Sequence, residues 1–298
     1  MLSGVIPILA TPFTRNDDID VDGLERLTAF VLASGVTAVA TLGLASEAFA
    51  LSPSERSTVV RAVRHAAGAQ VHLVVGVAAT SLRGAFEQGA AAINSGADSL
   101  MALPPYLVKP DERGIRAFYR QLGEAFGRVM VQDAPTTTGV ELEPSLIAEL
   151  SDLPGVTSFK IETPHSALKM REVRRLAPDA PLLGGRNAVA MLDELAAGSI
   201  GTMPACEFTG TLRQVDLQWR AGGSPTRAYS RLEPLLAMGI RPRKGWAVHK
   251  YVLRRMGIIG HGGVRHPAEP LSLAETDELE SLLAAWQSGG DTDADHQS

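Results

Sequence analysis

Lys160 and Glu162 lie two positions apart in the segment GVTSFKIETP, where a short apolar run gives way to a helical pattern. A lysine at the end of a buried strand loses hydration, which favours its neutral amine, and a neutral amine facing a pocket attacks carbonyl carbons. The alternative is a lysine whose long side chain reaches solvent. Five of the 28 lysine and arginine residues are lysines, and the other four lie in polar or arginine-flanked contexts, which singles out Lys160.

The two-residue spacing of Lys160 and Glu162 bears on where their side chains point. If the strand continues through Lys160 and Glu162, both side chains point to the same face of the sheet. The amine could then form an imine with a 2-keto acid, while the carboxylate moves protons at the neighbouring carbon and at a leaving group. A nearby carboxylate also stabilises the ammonium form, which opposes the effect of burial. The alternative to a catalytic pair is a structural ion pair.

Eight short apolar or β-branched runs alternate with eight amphipathic stretches over the first 220 or so residues. This alternation predicts an α/β fold, a parallel sheet closed into a (β/α)₈ TIM barrel. The strand candidates are Val5–Leu9, Ala38–Leu42, Val71–Val75, Ser99–Leu103, Val129–Val131, Val156–Phe159, Pro181–Leu183 and Ser199–Met203. The helical patterns lie near 22–34, 53–66, 81–95, 112–126, 144–151, 164–176, 187–196 and 209–221.

Residues 1–224 are therefore interpreted as the barrel. Residues 225–288 contain three more helical patterns and no convincing strand, which predicts a C-terminal helical extension. Residues 289–298 are small, polar and acidic, and predict a disordered tail. Two helix starts carry capping signals, Ser52-Pro53 before the second helix and Thr163-Pro164 directly after the lysine strand.

The composition excludes several classes of function. A formal net charge of −5, with no basic cluster interleaved with aromatic residues, argues against a nucleic-acid partner. Cys206 is the only cysteine, so a disulfide framework and a thiolate metal site are both excluded, and a cytoplasmic location is expected. The histidines lack zinc-binding spacing, so no metal is predicted. No apolar run reaches membrane-spanning length, so no membrane partner is expected.

A barrel of this type carries its site at the carboxyl ends of the strands. The small residues of the loop from Gly43 to Glu47 allow backbone amides to approach an anion such as a keto-acid carboxylate, although an ordinary loop would look similar. The residues predicted to bind substrate at these strand ends are Ala45, Ser46, Tyr106, Gln132, Gly185 and Met203.

Five motifs together resemble the lysine-dependent pyruvate aldolase and dehydratase superfamily, whose familiar members are dihydrodipicolinate synthase and N-acetylneuraminate lyase. The motifs are GVIPILATPF, GLASEAFALSPSER, PPY at 104–106, DAPTTTG at 133–139 and SFKIE, and the resemblance runs in order from about residue 4 to about 288. The resemblance implies that Lys160 is the Schiff-base lysine, that amides around Ala45 and Ser46 hold the substrate carboxylate, that no cofactor is needed, and that the chain forms a homo-oligomer, a dimer or tetramer.

The chain departs from the synthase pattern at positions that matter for its activity. Gln132 replaces the proton-relaying tyrosine, Leu44 and Ala45 replace two threonines, and Thr137 replaces the arginine that holds the second substrate. Leu107 replaces an aromatic residue that crosses the synthase interface, which weakens the expectation of a tetramer. The resemblance therefore argues against lysine-pathway condensation.

The variant pattern is similar to the branch that contains 2-keto-3-deoxy-L-arabonate dehydratase. The shared residues are Ser46-Glu47, the run VQDAP, FKIE, and the late Arg265-His-Pro267. In that branch the glutamate equivalent to Glu162 performs the acid–base work, which agrees with the spacing argument. Three hypotheses stay open: a dehydratase of a 2-keto-3-deoxy sugar acid, a pyruvate-dependent aldolase or synthase, and a non-catalytic barrel that binds keto acids.

Overall fold

The computed structural model describes residues 2–288, and within them the chain forms eight strands, twelve α-helices and three short 3₁₀ helices. All eight strands belong to one parallel sheet in the order β1-β8-β7-β6-β5-β4-β3-β2. The strands are β1 (Gly4–Val5), β2 (Ala38–Thr41), β3 (His72–Val77), β4 (Ser99–Ala102), β5 (Val129–Asp133), β6 (Val156–Ile161), β7 (Leu182–Gly184) and β8 (Gly201–Thr202).

The sheet closes where the chain passes Ile8, just beyond β1. Ile8 makes a parallel bridge to Ala40 of β2 on one side and another to Ala205 on the other. The amide of Leu9 donates to the carbonyl of Ala40, and the amide of Ala40 donates to the carbonyl of Pro7, both at 2.8 Å. The two outer strands of the sheet are thereby joined, which completes a barrel and confirms the predicted (β/α)₈ fold.

Helices cover the outside of the barrel and extend beyond it. The helices are α1 (Val21–Ala33), α2 (Pro53–Ala67), α3 (Leu82–Asn94), α4 (Glu112–Phe126), α5 (Pro135–Thr138), α6 (Pro144–Ser151), α7 (Ser166–Leu176), α8 (Met191–Ala196), α9 (Thr209–Arg220), α10 (Thr226–Met238), α11 (Gly245–Arg255) and α12 (Leu273–Ser288). The last three form the predicted C-terminal extension. They share an apolar cluster with α8 and α9, so the extension packs on one flank of the barrel.

The alternation of side chains along each strand separates two apolar cores. Residues such as Ile8, Val74, Met101 and Met130 point inward and fill the barrel, whereas their neighbours point outward and pack against the helices. Because both faces of the sheet are buried, the strands are apolar runs rather than polar–apolar alternations. Polar residues on the inner face of a strand are therefore exceptions.

Several predicted boundaries change in the structure. Strands β5 and β6 run two residues further than predicted, through Asp133 and Ile161, so Lys160 lies inside a strand and not after it. Ser52 caps α2 as predicted, in a reciprocal arrangement with Glu55. The predicted cap at Thr163-Pro164 is wrong, because α7 begins at Ser166 after an irregular turn. The division at residue 224 stays an interpretation, and the predicted tail lies outside the described residues.

Candidate active site

Strand register brings the predicted catalytic lysine and Gln132 side by side. Lys160 of β6 pairs with Gln132 of β5 on one side and with Leu183 of β7 on the other. Leu183 belongs to the cluster inside the barrel, so Lys160 also points inward. Only 1% of Lys160 is exposed, and the side chain is surrounded by protein except where it reaches the cavity described below. Lys160 is therefore buried, as the sequence predicted, and loses most of its hydration.

Glu162 lies two residues beyond Lys160 and points to the same interior face. One carboxylate oxygen lies 2.9 Å from the Lys160 amine and accepts a hydrogen bond from the Arg186 amide at 3.0 Å. The other oxygen accepts a hydrogen bond of 2.5 Å from the side-chain amide of Gln132. Burial alone would raise the pKa of Glu162, but the charge of Lys160 and these hydrogen bonds outweigh burial and hold the pKa below its ordinary value. Glu162 is therefore held as a carboxylate between the Lys160 amine and two amide donors.

Two consecutive glycines give Glu162 the room to take this position. A Cβ atom at Gly185 would lie 2.1 Å from the Cγ atom of Glu162, and one at Gly184 would lie 1.7 Å from a carboxylate oxygen of Glu194. Any side chain at either position would therefore collide with a buried glutamate. Gly185, predicted to contact substrate, acts in the structure by leaving space for the side chain of Glu162.

A cavity of about 490 Å³ opens above the barrel and reaches the lysine–glutamate pair. Among the predicted site residues, it is lined by Lys160, Glu162, Ala45 and Met203. The volume is sufficient for a five- or six-carbon sugar acid. Lys160, its neighbouring carboxylate and two of the predicted substrate contacts thus face one space.

Tyr106 and Gln132 face a second, adjoining cavity of about 300 Å³. The two cavities share Leu44, Thr137 and Trp246 as a partition. The structure therefore does not bring Tyr106 into the space that contains Lys160. Gln132 reaches the site through its hydrogen bond to Glu162.

Ser46 occupies a different role from the one predicted. Its hydroxyl donates to the carbonyl of Leu9 at 2.6 Å, and its amide donates to the carbonyl of Gly43 at 3.0 Å. Thr11 donates its hydroxyl to the Ser46 carbonyl at 2.6 Å. Because its polar groups are occupied within the loop, Ser46 fixes the shape of the loop, and Ala45 is the member of the predicted cradle that lines the cavity.

The sequence interpretation missed the contribution of α11. Trp246 and His249 of this helix line the cavity, and the Trp246 ring nitrogen donates to the Leu44 carbonyl at 2.6 Å. His249 is paired with the buried Glu207 at 2.7 Å. Trp246 and His249 are three positions apart, a spacing that places residues on one helix face, and this spacing was the available signal.

Burial does not distinguish Lys160 from all the other lysines, contrary to the sequence interpretation. Lys250 is 1% exposed and forms an ion pair with Glu47, and Lys169 is 9% exposed and lies 2.8 Å from Asp133. Access to the large cavity is what distinguishes Lys160, because neither Lys250 nor Lys169 lines it. A lysine that is buried and also faces a cavity is the arrangement required for imine chemistry.

The structure combines a parallel eight-stranded barrel with an inward-facing lysine near the end of β6, as the sequence resemblance implies. The model of the dihydrodipicolinate synthetase family matches residues 1–286. The chain belongs to this family. Its members are lyases that include both synthases and a dehydratase.

Two relatives and one crystal structure illustrate the family. The L-2-keto-3-deoxyarabonate dehydratase of Azospirillum brasilense is 30% identical over 300 residues, covering 95% of this chain and 96% of the relative. The 4-hydroxy-tetrahydrodipicolinate synthase 1 of Streptomyces coelicolor is 29% identical over 285 residues, covering 93% and 91%. A putative dihydrodipicolinate synthetase from Pseudomonas aeruginosa superposes with a TM-score of 0.90 at 26% identity, covering 96% of this chain and 100% of the other.

None of the helices within residues 2–288 combines the length and the apolar character needed to cross a membrane.

Proposed function

We propose that the protein is a dehydratase of a 2-keto-3-deoxy sugar acid, such as 2-keto-3-deoxy-L-arabonate, with Lys160 as the imine-forming lysine and Glu162 as the acid–base group. The observation that carries the proposal is geometric: the carboxylate of Glu162 lies 2.9 Å from the Lys160 amine, and both residues line the same cavity. Gln132, which cannot titrate, holds this carboxylate. The proton-transfer role therefore falls to Glu162.

The reaction begins with the loss of a proton from Lys160. Glu162 is close enough to accept that proton, and the free amine then attacks the C2 carbonyl of the substrate. Loss of one water yields a protonated imine, which attracts electrons from the C3–H bond. The carboxylate of Glu162 returns its proton to the departing water oxygen and is regenerated as a base for the next step.

Glu162 next removes a proton from C3, and the resulting enamine expels the C4 hydroxyl, which leaves as water after protonation by Glu162. The product is an unsaturated imine. Loss of a C5 proton and return of a proton to C3 move the unsaturation to the C4–C5 enol, which becomes an aldehyde. Hydrolysis of the imine consumes the water released in the first step. The net reaction removes one water and gives 2,5-dioxopentanoate from a keto-deoxy-pentonate.

Both the site and one relative support dehydration. The Azospirillum brasilense relative is named as an L-2-keto-3-deoxyarabonate dehydratase and aligns with 95% of this chain. The remaining parts of the proposal are a 2-keto acid substrate, activity without a metal or organic cofactor, a cytoplasmic location, and a homo-oligomer that is a dimer or a tetramer. Sedimentation of the purified chain would distinguish the last two.

A pyruvate-dependent aldolase or synthase is the second candidate, because several relatives carry the name 4-hydroxy-tetrahydrodipicolinate synthase. It would use the same imine but make or break a C–C bond. Gln132 and Thr137 stand against it, because the resemblance places a tyrosine and an arginine at these positions in the synthase.

Product analysis separates the candidates. Incubation with 2-keto-3-deoxy-L-arabonate is expected to yield 2,5-dioxopentanoate, detected by mass spectrometry. Release of pyruvate and an aldehyde would replace the dehydratase by an aldolase. Pyruvate with borohydride is expected to add mass at Lys160. A protein that gives neither product nor adduct would be a non-catalytic keto-acid-binding barrel.

A further inference from the structure

The charges around the large cavity are balanced with one exception. Four cationic residues line it, and three of them have carboxylate partners: Lys160 with Glu162, Arg241 with Glu278, and Arg243 with Glu269. The fourth is Arg186, whose guanidinium makes no hydrogen bond or ion pair with any group in residues 2–288. An arginine without a partner beside a catalytic pair is a recognition site for an anionic group of a ligand.

The backbone at Arg186 adds an independent observation. Arg186, Asn187 and Ala188 have φ angles of 45°, 54° and 61°, in the left-handed region that side chains disfavour. Glycine would relax the chain at residue 186, yet this position carries an arginine directly after two glycines. Strained residues of this kind are concentrated at functional sites and require support from their surroundings.

That support is visible on both sides of the strained segment. The Arg186 amide donates to the carboxylate of Glu162 at 3.0 Å. The Asn187 side chain donates to the Leu236 carbonyl and accepts from the Ala205 amide, each at 3.0 Å. The segment is therefore held in place from the barrel and from α10, and it presents Arg186 next to the base.

The charge of Arg186 acts on Glu194, a buried carboxyl near this segment, and lowers its pKa. Burial is the larger influence on this group and raises its pKa to about 7, so it is only partly ionised near neutral pH. Glu194 accepts its hydrogen bond from Ser166 at 2.6 Å, and not from Arg186. It therefore leaves the positive charge of Arg186 available to a ligand.

We infer that the substrate carries a second anionic group, a carboxylate or a phosphate, at the end opposite its keto acid, and that Arg186 binds this group. The inference rests on the proposed function, because Lys160 fixes the keto-acid end in the same cavity. The favoured substrate is then a 2-keto-3-deoxy acid with an anionic terminus. For a keto-deoxy-hexarate, loss of one water by the same steps gives 2,5-dioxohexanedioate.

Imine trapping tests this inference without requiring dehydration. The probes are 2-oxoadipate and 2-oxohexanoate, which have equal chain length and differ in a terminal carboxylate. Borohydride reduction at Lys160 is followed by mass spectrometry against probe concentration. Half-maximal trapping is expected at about 10- to 100-fold lower concentration for 2-oxoadipate, as one charge-assisted bidentate contact implies.

The variants Arg186→Gln and Arg186→Gly are expected to abolish this preference, because they weaken the trapping of 2-oxoadipate and leave that of 2-oxohexanoate unchanged. Arg186→Lys is expected to retain part of the preference. The glycine variant guards against misfolding, because glycine suits the left-handed backbone. Arg243→Gln is the matched control, since Arg243 also lines the cavity with a left-handed φ of 62° but is paired with Glu269. Its preference between the two probes is expected to equal that of the parent protein.

Turnover assays then identify the anion. The substrates are 2-keto-3-deoxy-pentonate, 2-keto-3-deoxy-hexarate and 2-keto-3-deoxy-6-phosphogluconate, whose termini are neutral, carboxylate and phosphate. The inference is supported if a substrate with an anionic terminus has the higher kcat/KM and if Arg186→Gln removes this advantage by raising KM. Equal trapping of both probes by the parent protein, or equal weakening of both in the variants, overturns it. Trapping with the expected preference but no dehydration of any substrate would refute the proposed dehydratase and leave the anion site standing.

Discussion

The molecule contains two buried lysine–glutamate pairs that differ in their surroundings. Lys160 belongs to β6 and Glu162 directly follows this strand, and their pair faces a cavity of about 490 Å³. Lys250 comes from α11 and Glu47 from the loop after β2, and neither residue lines the two cavities described above. Residue type and burial are the same in both pairs, so access to a ligand-sized space is what makes one of them a candidate for catalysis.

The second pair is enclosed by structural contacts. The Lys250 amine donates to the Gly263 carbonyl at 3.0 Å and lies 3.9 Å from the centre of the Phe13 ring. Glu47 accepts from the Arg265 amide at 3.0 Å. Burial lowers the pKa of Lys250 to about 8, although the charge of Glu47 opposes the shift. The pair thus ties the C-terminal extension to the loop that contains Ala45, and its contribution is positional.

Replacing the two lysines in turn gives the largest expected contrast. Lys160→Met is expected to lower kcat/KM by about 10³-fold or more, because the covalent nucleophile is lost, and to abolish the borohydride adduct. Lys250→Met is expected to retain the adduct wherever the protein is folded. Activity assays and intact-protein mass spectrometry provide the measurements. An adduct that persists in Lys160→Met would assign the imine to another lysine and remove the distinction between the pairs.

Changing the two glutamates sharpens the same contrast. Glu162→Gln is expected to lower kcat by about 10²- to 10⁴-fold while leaving imine trapping intact, because general acid–base catalysis is lost and the nucleophile is retained. Single-turnover kinetics with 2-keto-3-deoxy-L-arabonate would separate these steps. Glu47→Gln is the control, and its effect on kcat is expected to be much smaller. Equal losses in both variants would mean that Glu162 acts only as a structural partner.

Only one of the two lysine–glutamate pairs could be predicted from the sequence, because the partners of the other pair are far apart along the chain. Lys160 and Glu162 are close in sequence, so strand periodicity was sufficient to predict that they share a face. Lys250 and Glu47 are about 200 residues apart, and the burial of a helix lysine depends on which loop packs against it. The left-handed backbone at Arg186 likewise depends on contacts with α10 and β6, which local propensity does not encode. Helices and strands were therefore predicted more reliably than the long-range contacts between them.

For thermodynamic stability, the Lys250–Glu47 pair is expected to matter more than the Lys160–Glu162 pair. Lys250→Met leaves Glu47 buried without its cation and is expected to destabilise the protein by about 3–5 kcal/mol. The double variant Lys250→Met/Glu47→Leu is expected to recover much of this loss, since both charges are removed. Lys109→Met at an exposed lysine is the control. Urea denaturation measures each free energy, and a Lys250→Met protein as stable as the control would show that the second pair does not fasten the extension.

The smallest expected effect concerns Glu194, a buried glutamate that has no lysine partner and whose second oxygen accepts no hydrogen bond within residues 2–288. Burial raises its pKa from 4.5 to about 7. The folded state then binds more protons than the unfolded state between these values, so this group costs stability increasingly as the pH rises from 4.5 to 7. Glu194→Gln is expected to stabilise the protein by about 2–3 kcal/mol at pH 8 and by little at pH 4.5.

Paired denaturation curves at pH 4.5, 6 and 8 would measure this dependence. Asp193→Asn, at the exposed neighbouring position, is the matched control and is expected to show no comparable gain. Lys160 helps to keep the pKa of Glu162 low, whereas Glu194 has no lysine partner and its pKa rises to about 7. The pH dependence of the Glu194→Gln effect therefore measures how much a lysine partner stabilises a buried carboxylate. A Glu194→Gln gain that is constant with pH would show that ionisation of Glu194 makes no contribution to it.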